Sequence, residues 1–416
     1  MPSKKFRRTI LFILLLSIIY NLLRTSSPWG HPSKAKNTNT SNKTSPLPPL
    51  GTHVPMPSRF KGKAMPFHRV FEPREIGFPK DLLKPQNSNK TKLILVWTSW
   101  NRIKKTINYY FLRPGNKTFK RHNCPNSNCV ATFNRDNLLK ADAVLFHLID
   151  IKLKDMPPIR TPEQVWIVYN MEPPWLVQRH LVTPMLQLRN VFNWTMGYKS
   201  NSNIVVRYGY ISKVNETTQV NETKLGDKMV AWFVSDCNTD SKREDYVSEM
   251  QKHIDVDIYG RCGNKKCYPS QSSICYETVL KNYKFYLSFE NAICEDYVTE
   301  KYFNVFNYDI IPVVFGGANY SSIVPLNSYI DATEFPQPKM LAETLLNLAS
   351  SDEKYLEYLK RKQGFKAYLD PWMCKLCNKL HVPIEKSTLE SVDKWIFGDA
   401  QCKNWNKMNK SFINKE

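Results

Sequence analysis

The stretch Phe285–Lys301, FYLSFENAICEDYVTEK, narrows the possible folds more than any other part of this chain. Its first five residues are apolar or aromatic apart from one serine. They predict a strand covered on both faces, as in a parallel sheet. The strand ends in a carboxylate and an amide, Glu290 and Asn291. An acidic turn follows, and a helix is predicted over Tyr297–Asn307, with Asp296 as N-cap and Glu300 and Lys301 in its first turn. Strand ends beside helix starts are where open α/β sheets bind nucleotides. A lysine can meet phosphate and carboxylates can meet sugar hydroxyls, so the pattern points to a sugar nucleotide.

The same alternation recurs on both sides of this stretch. Strands are predicted for LILVW after Lys92, for Ala143–Leu148 and within Val165–Trp175. A polar segment, 213–225, has no apolar face and reads as a linker. Beyond it come strands at Met229–Ser235, Val256–Gly260 and Ile310–Gly317. Helices are predicted over Lys242–His253, Tyr276–Lys281, Lys339–Leu348 and Asp352–Gln363. A chain of 416 residues exceeds one ordinary core. The expected fold class is therefore α/β, with two doubly wound domains, 91–212 and 226–370, and a ligand between them. Residues 371–416 read as a cysteine-containing C-terminal extension.

The N-terminus places the chain. Lys4, Lys5, Arg7 and Arg8 precede an apolar run, Ile10–Leu23. Residues 1–8 read as a cytoplasmic tail and 9–23 as a signal-anchor, leaving the rest lumenal. So short a span suits the thinner membranes early in the secretory route. Residues 24–90, rich in Pro, Ser, Thr, Asn and Lys, read as a disordered stem. The net charge is +22, of which +13 lies in residues 1–90. That excess belongs to a solvated tail and stem, so nucleic acid is not the expected partner. A lumenal location makes the ten cysteines a disulfide set. CKLC (Cys374–Cys377) with His381 lacks a fourth ligand for zinc. Sequons at Asn39, Asn42, Asn89, Asn116, Asn215, Asn221, Asn319 and Asn409 agree with the compartment, and a ninth, Asn193, sits in the aromatic FNWT.

Several residues carry possible chemistry. Ser235 ends a strand and Arg243 opens the next helix; a hydroxyl, a guanidinium and a helix start can cradle a diphosphate. Glu300 and Lys301, one position apart, point about 100° from each other around the helix, so one can serve ribose while the other serves phosphate. Glu172, in NMEPPW, follows a buried strand, and two prolines fix the backbone after it. By itself such an acid is more often a solvated charge; held in a cleft it is poised to accept a proton from a sugar hydroxyl. Asp255 and Asp257 have DxD spacing but no third ligand in view, so no metal site is expected.

With these residues in place, the chain resembles the α1,3-fucosyltransferases that use GDP-fucose, glycosyltransferase family 10, over about Lys92–Leu380. FYLSFENAICEDYVTEK looks like the family signature. ADAVLFH, FNWTMGYKSNSNI, MVAWFVSDCN, VDIYG and IPVVFGG support it, and the cysteine-rich YGRCGNKKC looks like invertebrate members. The resemblance implies a GT-B fold: an N-terminal acceptor-binding and a C-terminal GDP-fucose-binding Rossmann-like domain face each other across a cleft. It implies a single-pass type II protein of the Golgi membrane. It implies Glu172 as the base and Ser235, Arg243, Tyr286, Glu290, Asn291, Tyr297, Glu300 and Lys301 as donor-binding, with Glu290 near the transferred fucose. The implied reaction moves fucose, with inversion, to O3 of GlcNAc in glycoprotein glycans. No cofactor is required, and a divalent cation would at most stimulate. Arg207 and Asn203 depart from the family pattern and bear on acceptor choice; Asp236 departs beside the donor site. Two rivals remain at this stage, a catalytically inactive lumenal glycan-binding protein of the same fold and a polybasic surface binder using the stem.

Overall fold

The computed structural model describes residues 90–98, 112–214, 225–268, 272–325, 327–383 and 387–415. The predicted signal-anchor, the stem up to residue 89 and most of the linker lie outside them. Among the described residues no helix is long and apolar enough to cross a membrane.

Two parallel sheets carry the chain. The first contains β1 (Lys92–Val96), β2 (Cys129–Thr132), β3 (Ala143–His147), β4 (Val165–Asn170), β5 (Trp194–Gly197) and β6 (Ile204–Val205), in the order β2-β1-β3-β4-β5-β6. β7 (Tyr210–Lys213) leaves this lobe. The second sheet contains β8 (Lys228–Phe233), β9 (Val256–Tyr259), β10 (Tyr283–Phe289), β11 (Ile311–Phe315) and β12 (Ile330–Asp331), in the order β9-β8-β10-β11-β12. Both sheets are built outward from a first strand that has the second on one side and the third on the other. The order therefore reverses beside β1 in one lobe and beside β8 in the other. Such switch points open a crevice at the carboxyl ends of the strands.

The strands form where apolar residues run unbroken. In β10 every residue except Lys284 is buried, as a central parallel strand requires. Pro312, in β11, lies outside the two residue pairs that join β11 to β12, so its missing N–H leaves that edge intact. The helices are α1 (Lys117–Arg121), α2 (Pro174–His180), α3 (Arg243–Met250), α4 (Ser273–Leu280), α5 (Glu300–Phe306), α6 (Pro338–Ala349), α7 (Asp352–Lys360), α8 (Trp372–Leu380) and α9 (Val392–Phe397).

The end of the chain braids the lobes together. β13 (Phe365–Tyr368) pairs antiparallel with β7, Phe365 opposite Lys213. Cys124–Cys374 and Cys129–Cys377 then bind α8 to the first lobe, and Val392, Trp395 and Ile396 of α9 enter its core. β14 (Lys403–Asn406) and β15 (Ser411–Asn414) return to the second lobe, where Trp405 is buried and Cys402 is bonded to Cys294. The segment 371–416 thus divides between the two lobes. All ten cysteines are paired.

A buried lysine holds the turn between α5 and β11. Lys362 donates from Nζ to the carbonyls of Tyr308 at 2.6 Å and Ile310 at 2.9 Å. Burial pulls its pKa down from 10.5 to about 7. Between those values the unfolded chain binds the extra proton, so this group makes stability rise with pH across that window. Urea unfolding of Lys362→Met should lose that component of the rise; an unchanged slope would contradict the lowered pKa.

Candidate active site

The crevice of the second lobe opens where β8 and β10 end, and it is built around one buried carboxylate. Glu290, fully buried, follows β10. Its Oε1 accepts from the backbone N–H of Thr299 at 2.8 Å and from the Thr299 hydroxyl. Its Oε2 lies 3.0 Å from Lys301 Nζ. Lys301 also reaches Thr299 Oγ1 at 2.7 Å and Glu300 Oε1 at 3.2 Å. Burial pushes the Glu290 carboxyl up, and the lysine opposes the shift. For Lys301 burial works downward, but the two carboxylates outweigh it and its pKa is raised. The ammonium is therefore a fixed cation at the crevice.

This network also sets where α5 begins. Thr299 is the N-cap, and its side chain accepts from Lys301 N. The predicted cap, Asp296, instead adopts a left-handed conformation (φ 62°) and accepts from the Ser200 N–H of the other lobe at 2.8 Å. Because Glu290 claims the Thr299 N–H, residues 296–298 must turn toward it before a helix can start.

Arg243, the first residue of α3, supplies a second cation, and this one is buried. Its guanidinium donates to the carbonyls of Phe289 at 2.5 Å and Asp236 at 3.3 Å, and Nε has no partner. Burial lowers its pKa, against the raising influence of Glu290. Ser241 joins the two strand ends: its hydroxyl donates to Glu290 O at 2.8 Å and its N–H to Asn291 O at 3.1 Å. The Asn291 Oδ1 is buried without a partner. Ser235, after β8, accepts from Arg261 Nε at its carbonyl, 2.7 Å. Gly260 passes beside it at φ +106°, where a Cβ would meet Val234 O at 2.4 Å, so glycine is required there. The Cys237–Cys262 disulfide joins the loops after β8 and β9 at this rim.

Tyrosines connect this crevice to the first lobe. Tyr297 is buried edge-on against Tyr198 (5.1 Å) and Tyr208 (6.1 Å). Tyr208 donates to Met171 O at 2.6 Å, which anchors the turn bearing Glu172. The Asn170 side chain closes the same turn, donating to Glu172 O at 2.7 Å. Gly209 lets this segment abut α5, since a Cβ there would meet Phe303 at 2.5 Å. Glu172 is half-buried. Burial first, and then the charges of Glu172, Glu290 and Glu300, hold the Tyr297 phenol well above its usual range. One side chain thus feels the acid of the first lobe and the carboxylates of the second.

Among the residues expected from the sequence, Arg243, Glu290, Asn291, Glu300 and Lys301 meet at the ends of β8 and β10. Ser235 lies on the same rim, and Glu172 faces them through Tyr297. Tyr286 lies a layer below, against Phe233 and Tyr276 in the core. Asp257 faces away from the crevice and is held by Lys228, Lys265 and the Tyr283 hydroxyl. His147, at the end of β3, had no role assigned from the sequence. Its Nδ1 lies 2.7 Å from Asp150 Oδ2, and its N–H donates to Thr98 Oγ1 at 2.7 Å. That pair stands at the first lobe's switch point, and the only hint in the sequence was a buried strand ending in a titratable ring.

Residues 89–209 match the family described as fucosyltransferase, N-terminal, and residues 223–395 that described as glycosyltransferase family 10 (fucosyltransferase) C-term. The chain is 37% identical over 319 residues to the glycoprotein 3-alpha-L-fucosyltransferase A of Drosophila melanogaster, which covers 73% of this chain and 59% of that one. It is 32% identical over 342 residues to the alpha-(1,3)-fucosyltransferase C of the same organism, covering 75% and 79%. The crystal structure of an alpha1,3-fucosyltransferase with GDP-fucose aligns over 73% of this chain and 95% of its own, at TM-score 0.48 and 16% identity, too remote to transfer any residue's role. With both of its lobes matched, this chain belongs to glycosyltransferase family 10, the fucosyltransferases.

Proposed function

We propose that this chain transfers fucose from GDP-fucose, with inversion, to O3 of a GlcNAc residue in glycoprotein glycans. The observation that carries this reading is the pair of cations, buried Arg243 and half-buried Lys301, at the switch point of one lobe, facing Glu172 of the other through Tyr297. The names of its relatives point the same way. In this reading the two lobes form a GT-B cleft. GDP sits at the ends of β8 and β10, its diphosphate beside Arg243 and Lys301 and its ribose beside Glu300. Glu172 takes the proton from O3–H. The O3–C1 bond forms as the bond from C1 to the diphosphate oxygen breaks, and the electron pair leaves with GDP. Positive charge developing on the fucosyl ring resembles that of glycoside hydrolysis, and the fixed cations stabilise the departing diphosphate.

Glu290 acts in this scheme by holding Lys301 and Thr299, since both of its oxygens are engaged. No metal is needed, because the cations do the work a divalent ion does elsewhere; added divalent cation would at most stimulate. The five disulfides and the basic-then-apolar N-terminus support a type II protein anchored by residues 9–23 with its catalytic part in the Golgi lumen. The test is to incubate the soluble fragment beginning near residue 90 with GDP-fucose and a small glycan panel and to locate added fucose by mass spectrometry. Transfer to O3 of GlcNAc is expected. GDP-fucose binding without transfer to any glycan would replace the enzyme with a glycan-holding relative.

A further inference from the structure

A second concavity lies at the outer edge of the second lobe, away from Arg243 and Lys301. It encloses about 640 Å³ beside β12 and is lined by Tyr329, Asp331, Glu334, Asn347 and Tyr358, with Asn319 on its rim. This volume falls within the ~300–1,000 Å³ usual for small-ligand sites. Its lining includes phenol rings, two carboxylates and amides, groups that suit the apolar faces and hydroxyls of a sugar. β12 is two residues long and pairs only with β11, so one edge of the sheet faces this space.

Asn319 begins the sequon Asn319-Tyr320-Ser321 and is exposed. Ser321 Oγ donates to its Oδ1 at 2.6 Å, and its Nδ2 makes no hydrogen bond to any described residue. Another sequon shows the contrast. Asn193 Oδ1 accepts from Trp166 N at 2.8 Å and its Nδ2 donates to Ser387 O at 2.9 Å, so a sugar on Nδ2 would have to share that atom with a bond inside the lobe. Every cysteine is paired, which marks an oxidising compartment where glycosylation also occurs.

We infer that Asn319 carries an N-linked glycan whose first sugars lie in this concavity and cover the open edge of the sheet. In the covalent step Nδ2 attacks C1 of a lipid-diphosphate-linked GlcNAc oligosaccharide. The N–C1 bond forms, the C1–O bond to the lipid diphosphate breaks, and Nδ2 loses one proton. The glycan then contacts Tyr329 and Tyr358 while its outer branches stay in solvent. This inference needs a secretory protein but is independent of the transferase reading.

Full-length protein made in a secretory eukaryotic host tests it. Glycopeptide mass spectrometry should find Asn319 occupied and Asn193 unoccupied, and Ser321→Ala should abolish the Asn319 glycan while Ser321→Thr keeps it. Peptide N-glycosidase should release the Asn319 glycan after denaturation but not from the native protein, and Tyr358→Ala should make it releasable from native protein without altering occupancy. An unmodified Asn319 would overturn the inference. So would a glycan released as readily from native wild type as from denatured protein, because that glycan would stand in solvent. Fucose transfer is read separately, so its loss or survival leaves this outcome unaffected.

Discussion

Glu172→Gln is expected to stop fucose transfer while leaving GDP binding as it was. The amide keeps the size of the side chain but cannot take the proton from the acceptor hydroxyl. General-base assistance is worth about 10²–10⁴ in rate, and turnover should fall by that factor. The turn that carries the residue is held by Asn170 and by the Tyr208 bond to Met171, neither of which uses the carboxylate. Folding should therefore survive. Glu172 belongs to the first lobe, whereas the proposed diphosphate contacts belong to the second. Calorimetric GDP affinity and steady-state turnover separate the two effects, and wild-type turnover in the variant would remove Glu172 from the base position.

The second large effect belongs to Lys301→Ala. This change removes one of the two cations proposed for the diphosphate and, among the described residues, the only ammonium beside Oε2 of the fully buried Glu290. Breaking a buried pair from one side costs about 3–5 kcal/mol, because the remaining charge is stranded. Here the cost should lie toward the low end, since Lys301 keeps 22% side-chain exposure and Thr299 still donates to Glu290. Urea unfolding measures this loss. Adding Glu290→Gln to the variant should recover much of the stability, since the stranded charge is gone, yet GDP affinity should stay weak. Recovery of GDP binding together with stability would show that Lys301 acts only on the fold.

The two lobes were legible in the sequence because parallel strands covered on both faces are written as unbroken apolar runs. β3, β10 and β11 appear within a residue or two of where those runs place them, and β4 starts where its run starts, at Val165, but ends at Asn170, five residues before Trp175. The start of α5 was not legible. Asp296 is as good a cap as Thr299 by residue type, and the choice falls to a carboxylate nine residues before Thr299 whose oxygens need donors. Tyr286 shows the same limit from the other side: its position in the signature does not reveal that strand alternation turns its ring into the core. The pairing of β7 with β13 and the return of α8 to the first lobe join segments far apart in the chain. No local period encodes such contacts; they follow from where the apolar face of α8 finds cover. His147 was overlooked because one histidine gains meaning only when a fold sets it beside Asp150.

The braid has a covalent consequence. Cys124–Cys374 and Cys129–Cys377 span 250 and 248 residues of sequence, and the whole second sheet lies inside that span. The polypeptide between them is therefore a closed loop anchored on the first lobe at both ends. A single cut anywhere between Cys129 and Cys374 opens the loop without freeing either half, and the two pieces stay one molecule until every disulfide that spans the cut is reduced, Cys294–Cys402 among them when the cut lies beyond Cys294.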